Sequence, residues 1–209
     1  MSAWYLNPVW SVWFDTHYNT GAFFVTRGGL TYNFQAGPRI TAGFAHLLLD
    51  NGNDELLRNE LRPWAQAFIP VRFDDAWSFS QRIRTDFRFR EELGADASGF
   101  DFTFRLRLQS VLSYRFAQTA VGRPLVQVAD EVLVNLFGEA GPNFLDQNRI
   151  SLLVGLETPP WTFRVGYLHR FIPGASGLVR THEHNAVVWV NYVFRRKGRR
   201  LPLTEEGNP

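Results

Sequence analysis

Residues Ser78–Glu91 read SFSQRIRTDFRFRE. Taken two at a time, Arg82, Arg84, Asp86, Arg88 and Arg90 fall in one row, and Phe79, Gln81, Ile83, Thr85, Phe87 and Phe89 in the other. A period of two belongs to an extended strand, whose successive side chains leave opposite faces. One face of this strand is therefore charged and the other is largely aromatic or aliphatic. What decides the fold is which of the two meets water.

The next strand has the same pattern. In FDFTFRLRLQ, Phe100, Phe102, Phe104, Leu106 and Leu108 interleave with Asp101, Thr103, Arg105, Arg107 and Gln109. Paired across a hairpin, the two strands make one apolar face and one face crowded with guanidinium groups. A water-soluble sandwich would bury the Phe row and hydrate the Arg row. A membrane barrel does the reverse, with rings toward lipid and charge in an enclosed, hydrogen-bonded lumen. Closure also pairs every backbone amide, as hydrocarbon requires.

Alternation of this kind runs through the chain and predicts about ten strands, near 3–14, 21–34, 38–50, 58–70, 76–91, 99–116, 124–137, 146–157, 160–172 and 184–195. Only NDELLRNELRPWAQAF hints at a helical period, and Pro63 interrupts it. Most runs reach the nine to eleven or so residues that a tilted strand needs to cross a bilayer, longer than the five or six typical of soluble strands. Tight connections (QAGP, TPP) and longer polar ones (DNGNDELLRN, EELGADAS, IPGASGLVRTHEH) occupy opposite ends. With an even strand count, both termini are expected on the periplasmic side of an outer membrane. The expectation is an all-β, transmembrane, antiparallel up-and-down β-barrel over residues 1–195. Its interior is expected to be polar and Arg-rich, and residues 196–209 to form a disordered, basic periplasmic tail.

The inner row is expected to hold Arg82, Arg84, Asp86, Arg88, Arg105, Arg107, Glu131, Asn135, Gln147, Arg149 and Arg164, with Glu60 and Glu157 as further counter-charges. Arginine suits this place because its planar fork binds two carboxylate oxygens and keeps its charge. In a narrow barrel such side chains should nearly meet, so a plugged interior is expected. The lipid-facing row is expected to hold Phe87, Phe89, Phe102, Phe104, Leu106, Tyr192 and Phe194. Trp4, Trp10, Trp77, Trp161 and Tyr192 fall near strand ends, where an aromatic girdle would sit; the plainer reading of each is β-propensity. Asp130 breaks the pattern, because strict alternation turns it outward; a bulge or an interfacial position would resolve it.

Composition narrows the chemistry. With no Cys, disulfides, thiolate metal sites and thiol nucleophiles are excluded. A formal net charge of +2 gives no reason to expect a nucleic-acid partner. No apolar run is long enough for a transmembrane helix, and MSAWYLNPVW lacks the basic-then-apolar order of a signal peptide; a leader removed from the mature form is the expectation.

The succession RGGLTYNF, RIRTDFRFRE, FTFRLRLQ, ADEVLVNL, FLDQNRISLLVGLE and FRVGYLHR resembles a family of Gram-negative outer-membrane barrels catalogued as a domain of unknown function. The resemblance runs from about Trp4 to Phe194. Its most specific parts are Asp130 and Glu131 with Asn135, then Asp146 to Arg149, then Gly166 with Tyr167. It implies an outer-membrane barrel and brings no activity with it. The stretch RRKGRRLPLTEEGNP departs from the family pattern.

His182 and His184 would share a face and could start a metal site, but no third ligand is evident. His169 is expected to face outward, with no serine in register to complete a lipid hydrolase. No cofactor and no metal are therefore expected. The favoured role is non-enzymatic, structural or partner-binding, in contact with outer-membrane lipid and with envelope proteins through loops or tail. The alternatives are a narrow anion-preferring pore and a lipid-modifying enzyme.

Overall fold

A computed structural model describes residues 2–19, 23–50, 57–92, 99–138, 144–174 and 180–192. They form β1 (Ser2–Tyr5), β2 (Trp10–Asn19), β3 (Phe23–Asn33), β4 (Arg39–Asp50), β5 (Leu57–Arg72), β6 (Trp77–Glu91), β7 (Phe100–Arg115), β8 (Arg123–Gly138), β9 (Leu145–Thr158), β10 (Trp161–Pro173) and β11 (Arg180–Tyr192). Each strand pairs antiparallel with its neighbours in sequence, giving one eleven-stranded up-and-down sheet in the order β1 to β11. Among the described residues no ladder joins β11 back to β1 or β2, so the closure expected of a barrel is not made there. The sheet nevertheless curls far enough that side chains of β2 and β11 line one cavity of about 670 Å³.

The eleventh strand arises where one long strand was expected over 3–14. Asn7 Oδ1 accepts the amides of Val9 at 2.9 Å and Trp10 at 2.8 Å, and Pro8 offers no amide to continue a ladder. The chain therefore folds back, pairing Ser2 with Phe14 and Tyr5 with Ser11. With eleven strands, β1 and β11 run in the same direction, and the expected even count is not observed among the described residues. At the other end, β11 begins at Arg180, four residues before its expected start. The rest of the expected last strand, 193–195, and the tail lie outside the described residues.

The helical hint resolves into β5. Pro63 sits opposite Phe44 in the β4 ladder, while on the β6 side the paired residues pass from Leu61↔Phe89 to Trp64↔Asp86. A proline cannot donate to a ladder, and the interruption falls at its position. Two register shifts mark β8, one against β7 between Phe104 and Arg105 and one against β9 between Leu133 and Val134. Neither lies at Asp130, which stays in register opposite Ser110 and Ile150. Its outward side chain takes a hydrogen bond from Asn148 Nδ2 at 2.7 Å.

The concave face is not uniformly polar. On the β2–β5 side, Val25, Ala45, Leu47 and Trp64 form a buried cluster backed by Trp13, Phe23 and Leu49. Trp64 can lie flat here because Gly43, its partner across β4, has no side chain. A Cβ on Gly43 would stand 2.5 Å from Trp64 Cζ2 and 2.2 Å from the Gly28 carbonyl oxygen. Trp13 meets the same indole edge-on, at 5.3 Å between ring centroids.

That close approach predicts a contrast between two glycines. Gly43→Ala is expected to lower stability by about 1–3 kcal/mol through overpacking. At Gly28 an added Cβ meets nothing closer than 3.7 Å, so Gly28→Ala should cost less than about 0.5 kcal/mol, as substitutions away from packed sites do. Urea midpoints followed by tryptophan fluorescence check both.

Candidate functional site

The inner row of β5 to β9 converges on shared carboxylates. Glu60 on β5 is fully buried. It accepts Arg62 Nε at 2.7 Å, Arg88 Nε at 2.8 Å and Arg90 Nε at 3.1 Å. Asp86 on β6, also fully buried, accepts Arg84 Nε at 2.7 Å and Arg105 Nη2 at 2.9 Å, with Arg107 Nη1 at 3.9 Å. Glu131 on β8 accepts Arg107 Nη2 at 2.7 Å, Arg82 Nη2 at 2.9 Å and Arg149 Nη1 at 3.4 Å. Arg105 then reaches Asp146 on β9 at 3.0 Å. Eight arginines thus meet four carboxylates in this network.

Satellite pairs extend it. Arg115 bonds Glu157 at 3.1 Å and Ser78 at 2.7 Å, Arg170 bonds Glu183 at 2.6 Å, and Arg27 pairs with Asp15. The network joins the aromatic cluster through Arg84, whose guanidinium lies 4.3 Å from the Trp64 ring centroid. A planar cation over an indole adds attraction that survives burial.

Most of the expected inner residues are gathered here. Arg84, Asp86, Arg88, Arg105, Arg107, Glu131 and Arg164 are buried, and Arg82, Asn135, Gln147 and Arg149 are half-buried on the same face. Asn135 stands opposite Arg105 in the β7–β8 ladder. Gln147 Oε1 accepts Arg149 Nη2 at 2.8 Å. Arg164 stands apart on β10, bonding Asn191 at 3.0 Å.

On the other face Phe87 and Phe102 are exposed, while Phe89, Phe104, Leu106 and Tyr192 are half-exposed. The half-exposed rings pack on neighbours: Phe89 tilted against Phe102 and Phe87 against Phe104 at 5.1 Å, and Phe104 stacked on Phe137 at 6.0 Å. Phe194 lies outside the described residues. Trp10, Trp77, Trp161 and Tyr192 gather at the end carrying the short turns, with Tyr32, Phe34, Tyr114 and Phe116 among them. Trp4 pairs opposite Val12 within the short β1.

Alternation alone could not reach Asp146, which it turns outward beside Gln147. The register shift between β8 and β9 leaves it over in the ladder, since Leu133 pairs with Gln147 and Val134 with Leu145. Its carboxylate meets Arg105 across that irregularity. The run of polar residues in LDQNR is the sequence signal for such a break. Arg62 and Trp64, in phase with Glu60 on the strand expected over 58–70, lie on the same inner face.

The outward polar groups are committed in pairs. Ser110 Oγ donates to Gln81 Oε1 at 2.7 Å, and His169 Nε2 lies 3.1 Å from His182 Nδ1. Tyr167 bonds His184 Nδ1. Among the described residues no group of three or more His, Cys, Asp or Glu side chains is arranged to hold a metal ion.

The family described as protein of unknown function (DUF2490) matches residues 4–181, and the chain belongs to it. Comparison with curated proteins and with solved structures gives no match.

The convergence on Glu60 predicts a graded response. Glu60→Gln leaves several buried guanidiniums short of a counter-charge and should cost about 3–5 kcal/mol. Arg90→Gln removes a side chain that is 32% exposed and should cost no more than about 1 kcal/mol. Equilibrium unfolding in urea distinguishes them.

Proposed function

We propose that this chain is an integral outer-membrane β-barrel protein without catalytic activity, whose inner arginine–carboxylate network is a structural plug. The observation that carries this reading is the inversion of the two faces. Across β6 to β10 the outward row runs Ile83, Leu108, Val128, Leu152 and Val165, all exposed, while the charged row lies buried beneath it. A continuous apolar surface of this extent is unstable in water and stable against acyl chains. Aromatic rings at the short-turn end fit the headgroup level of a bilayer.

Strand length agrees, since β5 to β9 have 14 to 16 residues, more than the nine to eleven or so that cross a membrane at a tilt. The non-enzymatic part rests on pairing. Ser110, Asp130 and His169, three residue types a lipid hydrolase would combine, are each bonded to a different neighbour. A hydrolytic site needs its serine, its histidine and the orienting group in one chain of hydrogen bonds.

Two substitutions test the orientation. Leu108→Arg, at the middle of β7 on the apolar face, should cost about 2–4 kcal/mol and reduce the amount recovered in the outer-membrane fraction. Arg107→Leu should leave membrane recovery intact while lowering the unfolding midpoint. A chain that partitions into aqueous extracts without detergent, with Leu108→Arg harmless, defeats the membrane reading. In planar bilayers no steady current is expected; a steady anion-selective current would replace the plug with a pore.

A further inference from the structure

The cavity of about 670 Å³ falls within the range of roughly 300–1,000 Å³ that holds small ligands. Its position is unusual. It is lined by every residue from Asn185 to Asn191, hence by both faces of β11, and by Asp15 together with the outward Thr16 and Tyr18 of β2. The β1 ladder covers β2 only from Ser11 to Phe14. The cavity therefore runs through the seam between two strand edges and connects the concave interior with the outer face.

The interior part of the lining has two characters. Arg27, Arg82, Arg84, Arg149 and Arg170 face Asp15, Glu131 and Glu183 there; Arg84 is also bonded to Asp86, a carboxylate it shares with Arg105 and Arg107, so positive charge stays in excess. Arg84 Nη2, Arg170 Nε and Trp189 Nε1 are buried donors with no hydrogen-bond partner among the described residues. Arg84 itself is only 3% exposed. Buried donors left unsatisfied are costly and call for an acceptor. Beside them Trp13, Phe23, Leu168 and Val187 supply an apolar wall.

We infer that this cavity binds a single-chain anionic amphiphile, its acidic head among Arg84, Arg170 and Trp189 and its chain along the apolar wall and seam. The class follows from the lining. A soluble anion would leave the apolar wall bare, and a neutral lipid would leave the donors and excess charge unanswered. Entry between β2 and β11 rests on the membrane reading above; occupancy of the cavity does not.

The test uses the full chain in phosphatidylcholine nanodiscs with radiolabelled oleate, lysophosphatidate as the phosphate-headed competitor and monoolein as the neutral one. Oleate should saturate, and lysophosphatidate should displace it. Monoolein should bind more weakly by about tenfold or more, the scale of a charged hydrogen bond. Leu168→Trp, which fills the cavity, should abolish saturable binding. Trp189→Phe keeps an aromatic ring, removes the donor, and should weaken oleate about tenfold with monoolein unchanged. Absence of saturable oleate binding by the folded chain overturns the inference, as does equal affinity for monoolein. So does binding unaltered in both variants. A chain found in the aqueous fraction that still binds oleate saturably supports the cavity and removes the membrane reading alone. For the route, Thr16→Cys with Val188→Cys, bridged by a short bis-maleimide in this cysteine-free chain, should slow oleate exchange; unchanged exchange overturns entry through the seam.

Discussion

Glu60, Asp86 and Glu131 each hold three arginines, and the geometry of the sheet depends on that sharing. Arg82 on β6 reaches Glu131 on β8, and Arg105 on β7 reaches Asp146 on β9. A concave surface brings side chains two strands apart closer together. Curvature and ion pairing therefore support one another. Register follows too, since a slip of one residue would send a whole row of guanidiniums to the apolar face. Such a network is weak as net stabilisation, because desolvation offsets much of the Coulombic gain. Its effect is to make alternative pairings very unfavourable.

How much of this was legible in the sequence can be seen residue by residue. The two faces of β6 and β7 were readable because the residue types sort so cleanly: any strand containing RIRTDFRFRE has Arg on one side and Phe on the other. The identity of the acceptors was readable as well, since few carboxylates fall in the inner phase. What alternation could not supply was any position where the count itself changes. Asp146 enters the network beside a register shift. The β1–β2 hairpin depends on one Asn side chain folding onto two amides. Both are local events of a residue or two, invisible to a pattern that assumes uninterrupted period two.

Trp64 shows a different limit. Its phase on the strand expected over 58–70 puts it on the inner face, but its role rests on Gly43 and Gly29 across the sheet, where missing side chains leave room for an indole. That complementarity is long-range, so nothing adjacent in the chain announces it. Once in place, Trp64 joins the apolar cluster of β2–β5 to the charged network of β5–β9 through the stacked Arg84. A guanidinium is the cation suited to that junction, because its planar face stacks while its edge stays bonded to Asp86.

The two halves of the interior differ in how fully they satisfy themselves. Between β5 and β9 the carboxylates are saturated and the space is filled by arginine. Toward β10, β11 and β2 the cavity opens against the edge of that network, where Arg82, Arg84, Glu131 and Arg149 line it together with Arg27, Arg170, Asp15 and Glu183. An arginine-rich concave face that balanced its charge everywhere would be inert filling. One that leaves positive charge and unmet donors beside an apolar wall, at the place where the sheet has two unjoined edges, concentrates its remaining binding capacity at that seam. The same excess of guanidinium that organises the rest of the sheet is what the inferred preference of this region for an anionic ligand rests on.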